Sequence, residues 1–315
     1  MTVPVLAVAL LTIAAWLACG VRVTEVLRFV GYEIVWVLVP GMIVLALLSP
    51  ARRASLPERL FLGYAVGIAI ELAAFTVTAA LDKRAGLPLF PLPAYVVAVA
   101  AVLTGRWHIP RPPLGAGPVR GQWLGASVAA AVVVALTMGF FISNPLARST
   151  NSVAYDQDLV YHLALSAEAK NQWPMQDPNI ARDSLHYHTF ANREIAAVSL
   201  VTGIPLDVIL LRLMPVAMLL ALGGGVALVT RRIGGSPGTS ALAVALAILA
   251  GELDVDTKVP LPFLGGSLLV HLQSPSFYLG AVLFVAALYL LIEQIGSARR
   301  WTLMSLADRS VARDL

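Results

Sequence analysis

The chain is poor in charge and almost devoid of cysteine. Only 13% of its 315 residues are charged, whereas 58% are hydrophobic and the mean hydropathy is +0.81. Soluble domains carry about twice that share of charged residues, so this composition excludes an ordinary soluble protein. The single cysteine, Cys19, excludes a disulfide within the chain.

Two further absences narrow the class of membrane protein. The first apolar run has no basic stretch before it, as a secretory signal peptide would have. No internal sequence repeat is visible, so a transporter built from inverted repeats is not favoured. The net charge of +4 comes from arginines in alternate loops, and it calls for no nucleic-acid partner.

What the chain has instead is a series of long apolar runs. About 20 apolar residues cross a hydrocarbon core of roughly 30 Å. We therefore predict an all-α, polytopic membrane protein with about eight spans. The predicted spans are 3–19, 29–48, 60–81, 88–105, 124–143, 206–230, 238–253 and 276–295.

Arginine positions predict the orientation of these spans. The loops after the second, fourth and sixth runs, and the C-terminal tail, are the basic ones. They contain Arg52, Arg53, Arg59, Arg106, Arg111, Arg120, Arg231, Arg232, Arg299 and Arg300. Basic loops stay in the cytoplasm, so both termini are expected there and the long loop 144–203 outside. The abundance of arginine over lysine suggests a bacterial source, and hence the plasma (inner) membrane.

A segment rich in proline and glycine divides the chain. Residues 106–122 have the composition of a stiff linker. We therefore predict a four-span module over 1–105 and a second four-span module over 123–315, which contains the large outer loop 144–203.

The outer loop is predicted to contain a helix that lies along the outer leaflet. From Asp156 to Asn171 the chain lacks proline and glycine, and Trp173-Pro174 ends the helix. Apolar residues at helical spacing give this helix an apolar face, which consists of Leu159, Val160, Leu163, Ala164 and Ala167. Asp158 and His162 are four residues apart and share another face. We expect the Asp158 carboxylate to be shielded from bulk water.

Ionisable side chains are concentrated in the outer loops. They are Asp156, Asp158, His162, Asp177, Asp183, His186, His188 and His271. Such a set either provides a general base with supporting hydrogen bonds or binds a divalent metal. The pair Asp156-x-Asp158 suits Mg²⁺ or Mn²⁺, which prefer oxygen ligands.

Three of the ionisable residues within the predicted spans are candidates for a functional role. Glu33 and Glu71 are carboxylates, and a carboxylate at depth costs roughly 2.5–3.5 kcal/mol, so Glu71 should be protonated or paired. It forms either a proton or ion site or a polar contact between helices. Arg212 either extends to the interface or binds a lipid phosphate. The spacing Gly63-x-x-x-Gly67 predicts close helix packing.

The outer loop resembles that of the GT-C superfamily of membrane glycosyltransferases. The resemblance covers about residues 124–229 and depends on the order of several short motifs. They are Asp158 followed by His162, Trp173-Pro174-x-x-Asp177-Pro178, Leu185-x-Tyr187-His188 and Thr202-Gly203. Members of this family transfer a sugar from a polyprenyl-phosphate donor to an acceptor outside the cytoplasm. The resemblance implies the same for this chain, with a cell-envelope glycan, lipid or protein as acceptor.

The resemblance also implies roles for particular residues. Asp158 would be the general base, and Asp156 would assist it or bind a metal. The residues implied to orient or bind the acceptor or the donor phosphate are His162, His186, Tyr187, His188, Arg212 and His271. Family members carry this loop after their first span and continue through a longer membrane core. The chain is therefore expected to be a truncated or divergent member, which is either incomplete as a catalyst or dependent on a partner membrane subunit.

Two other functions remain open at this point. One is a non-catalytic membrane scaffold or binder of lipid-linked sugars. The other is a transporter or flippase in which Glu71 and Arg212 line the pathway. Of the three, we favour the enzyme.

Overall fold

The computed structural model describes residues 2–48, 55–105, 130–131, 134, 137–149, 155, 157–180, 183, 185, 187–250, 272 and 274–311. This part of the chain is helical and contains no β-strand, which confirms the all-α prediction for it. Its helices are α1 (Thr2–Ala18), α2 (Val23–Leu48), α3 (Leu56–Ala80), α4 (Arg84–Leu103), α5 (of which 137–143 are described), α6 (Gln157–Asn171), α7 (Phe190–Thr202), α8 (Leu206–Arg232), α9 (Pro237–Leu249) and α10 (Pro275–Val311).

Five of these helices are long and apolar enough to cross a membrane. They are α2, α3, α4, α8 and the Pro275–Ile295 part of α10, whereas α1 and α9 are shorter apolar helices. The described residues therefore support a membrane protein with several transmembrane helices. The count of about eight spans and the cytoplasmic termini stay predictions. The predicted linker 106–122 and most of the predicted span 124–143 lie outside the described residues.

Helices α2 and α3 touch backbone to backbone. A methyl group on Gly41 of α2 would overlap the Gly63 carbonyl oxygen and the Gly67 nitrogen of α3. A methyl group on Gly67 would overlap the Val37 carbonyl. The close packing predicted from Gly63 and Gly67 is confirmed, and Gly41 is the partner that the sequence did not reveal.

Two helices contain a π-helical segment. Glu33–Leu38 is one such segment within α2, and Ile209–Leu213 is another within α8. The π-helical turn shifts the side chains around the helix, and such segments are frequent at functional sites. The first segment begins with Glu33 and the second contains Arg212, which are two of the three candidate residues within the predicted spans.

Both halves of the chain contribute to one hydrophobic core. Buried Leu62 and Ile68 of α3 belong to the same core as Leu211 and Val216 of α8 and Tyr289 of α10. The two predicted modules therefore pack together, although a linker of distinct composition joins them.

Helices α6 and α7 form a hairpin, and α7 is the helix through which this hairpin packs against the membrane helices. Helix α7 packs against α6 on one side and against α2, α3 and α10 on the other. It ends at Gly203, whose φ of +72° is the left-handed conformation that glycine adopts most easily. The chain then enters α8 at Leu206.

The helix predicted to follow Asp156 is present, and most of the residues that it buries in the protein are not those of its apolar face. Helix α6 ends at Asn171, just before Trp173-Pro174 as expected. Its buried residues are Leu159, His162, Leu165, Ser166 and Ala169, while Val160 is exposed. Polar His162 and Ser166 are buried because Asn192 of α7 hydrogen-bonds with them. The hydropathy pattern of α6 alone does not indicate this partner.

Candidate functional site

Residues from two distant segments of the loop 144–203 meet beside the first turns of α6. Helix α6 supplies Asp158, Tyr161 and His162, and the segment before α7 supplies Tyr187 and His188. The ring of Tyr187 lies 5.6 Å from that of Tyr161, 6.1 Å from that of His162 and 4.1 Å from that of His188, measured between centroids. We call these five residues the outer cluster. The structure thus brings together Asp158, His162, Tyr187 and His188, four of the predicted site residues.

Asn192 of α7 holds His162 in place. Its side-chain amide donates to the His162 carbonyl at 3.0 Å and to Ser166 Oγ at 3.1 Å, and it lies 3.5 Å from His162 Nδ1. The Ser166 hydroxyl also donates to the His162 carbonyl, at 2.7 Å. Only 3% of His162 is exposed. Asn192 was not predicted as a site residue, because an isolated amide in a helix has no recognisable spacing.

The outer cluster is coupled electrostatically. Burial lowers the pKa of His162, and the neighbouring His188 lowers it further. The Asp158 carboxylate and the hydrogen bond with the Asn192 amide act in the opposite direction. Burial raises the pKa of Tyr187, and the charge of Asp158 adds to this rise. The Asp158 carboxylate therefore acts on both rings, and His162 is biased toward the neutral imidazole that can accept a proton.

The Asp158 carboxylate is not shielded as expected. Its side chain is exposed in the first turn of α6, whereas His162, one turn further on, is buried. Helix α7 and its Asn192 cover the side of α6 that carries His162 and leave Asp158 uncovered. The exposed carboxylate lies at a helix N-terminus, where the helix dipole favours a negative charge.

Three of the predicted site residues are outside the described part. They are Asp156, His186 and His271, and their roles stay predictions. Within the described residues, no three His, Cys, Asp or Glu side chains are grouped closely enough to hold a metal ion. The prediction that Asp156 and Asp158 bind Mg²⁺ or Mn²⁺ stays a prediction, because Asp156 lies outside the described residues.

Arg212 lies apart from the outer cluster and binds backbone. Only 2% of it is exposed. It makes four hydrogen bonds, with the carbonyls of Cys19 (3.1 Å), Leu211 (2.8 Å), Phe141 (3.1 Å) and Asn144 (2.7 Å). The guanidinium also lies 4.9 Å above the Phe141 ring. Arg212 thus joins the ends of α1, α5 and α8, and contact with a phosphate would require some of these bonds to break.

A second group of ionisable residues is buried between the helices. It contains Glu33 of α2, Glu71 of α3 and Glu194 of α7. The Tyr32 hydroxyl donates to Glu71 Oε1 at 2.5 Å. Glu33 and Glu71 were noted in the sequence, whereas Glu194 was missed. Helix α7 is not a membrane span by hydropathy, so a glutamate within it looked like an ordinary solvated charge.

No known protein family, curated protein or solved structure matches this chain. The resemblance to GT-C enzymes therefore depends on the loop motifs alone, and membership of that superfamily stays a prediction. What the protein does has to be inferred from its own residues.

Proposed function

We propose that the protein is a membrane glycosyltransferase of the GT-C type. It would transfer a sugar from a polyprenyl-phosphate carrier to a hydroxyl group of an acceptor at the outer leaflet. The observation that supports this proposal is the meeting of Asp158, His162, Tyr187 and His188 on a hairpin packed against membrane helices. An acid and two imidazoles at such a position suit proton transfer beside a lipid-linked substrate.

Asp158 is the proposed general base. The acceptor oxygen forms a bond to the anomeric carbon, and the bond from that carbon to the polyprenyl-phosphate oxygen breaks. The hydroxyl proton passes to the Asp158 carboxylate, and the phosphate leaves with the bonding electrons. Because Asp158 is exposed, an acceptor can reach it from the aqueous side.

His162 and Tyr187 have supporting roles in this proposal. The imidazole of His162 is fixed by Asn192, so it offers a rigid polar edge next to Asp158. The ring of Tyr187 is 37% exposed and offers a flat surface to a sugar. These side chains would orient the acceptor relative to the carboxylate.

A second candidate function is a non-catalytic binder of lipid-linked sugars. An apolar cavity of about 380 Å³ between α3, α8 and α9 favours it. Leu60, Phe61 and Leu228 are among its lining residues, and Arg231 supplies a cation. A cavity of this size and lining suits part of an isoprenoid chain.

The test is the replacement Asp158→Asn in the full chain. The protein is reconstituted in liposomes with polyprenyl-phosphate sugars and candidate hydroxyl acceptors, and transfer of radiolabelled sugar is measured. Loss of the base should reduce transfer by about 10²–10⁴-fold while leaving donor binding intact. The matched control is Asp82→Asn, an exposed acid in the turn between α3 and α4, which should leave transfer unchanged.

Two outcomes would contradict the enzymatic proposal. Transfer that survives Asp158→Asn would remove the base. Binding of the donor without transfer by the unaltered protein, across the acceptors tested, would favour the second candidate.

A further inference from the structure

The second group of ionisable residues contains buried oxygen atoms without hydrogen-bond partners among the described residues. We call this group the acidic–phenolic cluster. Its members are Glu33, Glu71, Glu194, Tyr32, Tyr64 and Tyr278. The atoms without partners include Glu71 Oε2, Glu194 Oε2 and Tyr278 Oη. The members of the cluster come from helices α2, α3, α7 and α10, so tertiary packing alone brings them together.

The three carboxyl groups of the cluster lie within electrostatic reach of one another. Glu71 interacts with Glu33, and Glu194 interacts with both. A negative charge in a low-dielectric interior is costly, and several together repel one another. The cluster therefore needs positive charge to offset its own.

No described arginine or lysine supplies that charge. Arg193 precedes Glu194 in the sequence, but its guanidinium lies over the rings of Trp173 (5.1 Å) and Phe190 (5.7 Å). Its Nη1 donates to Thr76 Oγ1 at 3.2 Å. The titratable groups that interact with Glu71 and Glu194 are carboxyl and phenolic groups, and none is a cation. They are Glu33, Glu194, Tyr32 and Tyr64 for Glu71, and Glu71, Glu33, Tyr32, Tyr64 and Tyr278 for Glu194.

Tyr278 indicates that the cluster has room for a ligand. Its side chain is 0% exposed, and its hydroxyl lies within electrostatic reach of Glu194. The hydroxyl nevertheless makes no hydrogen bond to the carboxylate or to any other described group. Buried hydroxyls almost always have a partner, and an exception points to a water or an ion between the groups.

We propose that the acidic–phenolic cluster binds a small monovalent cation, either a proton or an alkali-metal ion. Carboxylate and phenolic oxygens are hard ligands that suit both. A metal ion held by three carboxylates is not proposed, because the described acidic side chains are not grouped closely enough for that. An alkali-metal ion would instead be held by at most two of the carboxylates together with phenolic oxygens.

Occupancy of the site would control how α7 is held. Glu194 is on α7, which carries the outer hairpin, whereas the other members of the cluster are on α2, α3 and α10. Without the cation, repulsion between Glu194 and the two other carboxylates would push α7 away from these helices. The proposal does not depend on the glycosyltransferase activity.

The experiment measures thermal unfolding of the purified full chain in nanodiscs. Midpoints are compared in sodium, potassium and choline chloride at equal ionic strength, each over a series of pH values. An alkali-metal ion as ligand would raise the midpoint in sodium or potassium relative to choline, most at high pH. A proton as ligand would make the midpoint fall with rising pH irrespective of the salt. In both cases shifts on the order of 2–4 °C are expected.

Variants decide whether the response belongs to this cluster. Glu194→Gln and Glu71→Gln should abolish the response to pH or cation. The matched control Glu293→Gln should retain it, because Glu293 lies on another part of α10, 3.9 Å from Arg232 of α8. Should the glutamine variants fail to fold, Tyr278→Phe removes only the hydroxyl without a partner and should weaken the response. An unfolding midpoint of the wild type that changes with neither pH nor the cation present would overturn the proposal. A response that persists in all the folded cluster variants would overturn it too.

Discussion

The outer cluster and the acidic–phenolic cluster are both built around α7, yet their environments are opposite. In the outer cluster the acid, Asp158, is exposed, and the buried His162 is hydrogen-bonded by Asn192. In the acidic–phenolic cluster the acids are buried and several oxygens have no partner. Asn192 and Glu194 are two residues apart, which corresponds to opposite sides of a helix. Helix α7 therefore contributes to two ionisable sites, one that is open to water and one that is closed to it.

The comparison shows that the free-energy cost of burying a polar group in this protein depends on the partners of that group. The His162 carbonyl, Ser166 Oγ and Asn192 Nδ2 bind one another, so the burial of these atoms costs little, although Asn192 Oδ1 has no partner among the described residues. The carboxyl groups around Glu71 repel one another and require a proton or another cation. The two regions should consequently respond in opposite directions to pH and unequally to mutation.

The largest effect is expected where the helices that carry Glu33 and Glu71 touch. Gly41→Ala forces a methyl group into the backbone of α3 at Gly63 and should lower the free energy of unfolding by about 3 kcal/mol. Unfolding in a denaturing detergent measures the loss. The control is Gly31→Ala on the same helix, where a methyl group meets no atom within 4 Å. Equal losses in the two variants would show that α2 and α3 are not in close contact.

A smaller loss is expected from the outer cluster when Asn192 is replaced. Asn192→Ala removes the donor shared by the His162 carbonyl and Ser166 Oγ, which should lower the free energy of unfolding by about 1–3 kcal/mol. It should also lower the pKa of His162 further, because the Asn192 hydrogen bond opposes the effect of burial. NMR titration of His162 measures this shift. An unchanged pKa would show that Asn192 does not act on the imidazole.

On the alkaline side, Glu194 should determine the pH dependence of stability. Burial raises the pKa of Glu194 well above its ordinary value, and the neighbouring Glu71 and Glu33 carboxylates add to this rise. Its contribution is full below the pKa of an unfolded glutamate and is lost as pH rises through the folded value. The slope approaches ~1.4 kcal/mol per pH unit. In choline buffer Glu194→Gln should flatten this loss, whereas a curve like that of the wild type would contradict it.

On the acidic side, His162 should have the opposite and smallest effect. Burial lowers the pKa of His162 below the ordinary value of 6.5. Its contribution is present above the unfolded pKa and is lost as pH falls through the folded one. His162→Gln should flatten the acidic limb of the unfolding curve and leave the alkaline limb unchanged. A change confined to the alkaline limb would mean that the two regions are not separate.

Much of the helical architecture could be predicted from hydropathy. The predicted runs 29–48, 60–81, 88–105, 206–230 and 276–295 each fall mostly within a helix apolar enough to span a membrane. The end of α6 before Trp173 was also predictable, because proline excludes helix continuation. In each case the signal is local, since a run of apolar residues or a proline acts through its own neighbours.

The environment of each site residue was much harder to predict. Asp158 was expected to be shielded and is exposed, while His162 beside it is buried. Arg212 was expected to meet a phosphate or the interface and instead binds four backbone carbonyls, three of them from distant segments. Each outcome depends on which side chain or carbonyl a remote helix presents, and spacing along one helix does not contain that information.

The sequence by itself determined that the chain is helical and rich in membrane-spanning segments, because apolar length and charge placement act locally. It also determined which ionisable residues are available in the outer loop. Only the tertiary structure decided that α7 buries Glu194 against Glu71 and Glu33 while Asn192 holds His162. Burial and hydrogen bonding of a polar group depend on partners that folding brings from elsewhere in the chain.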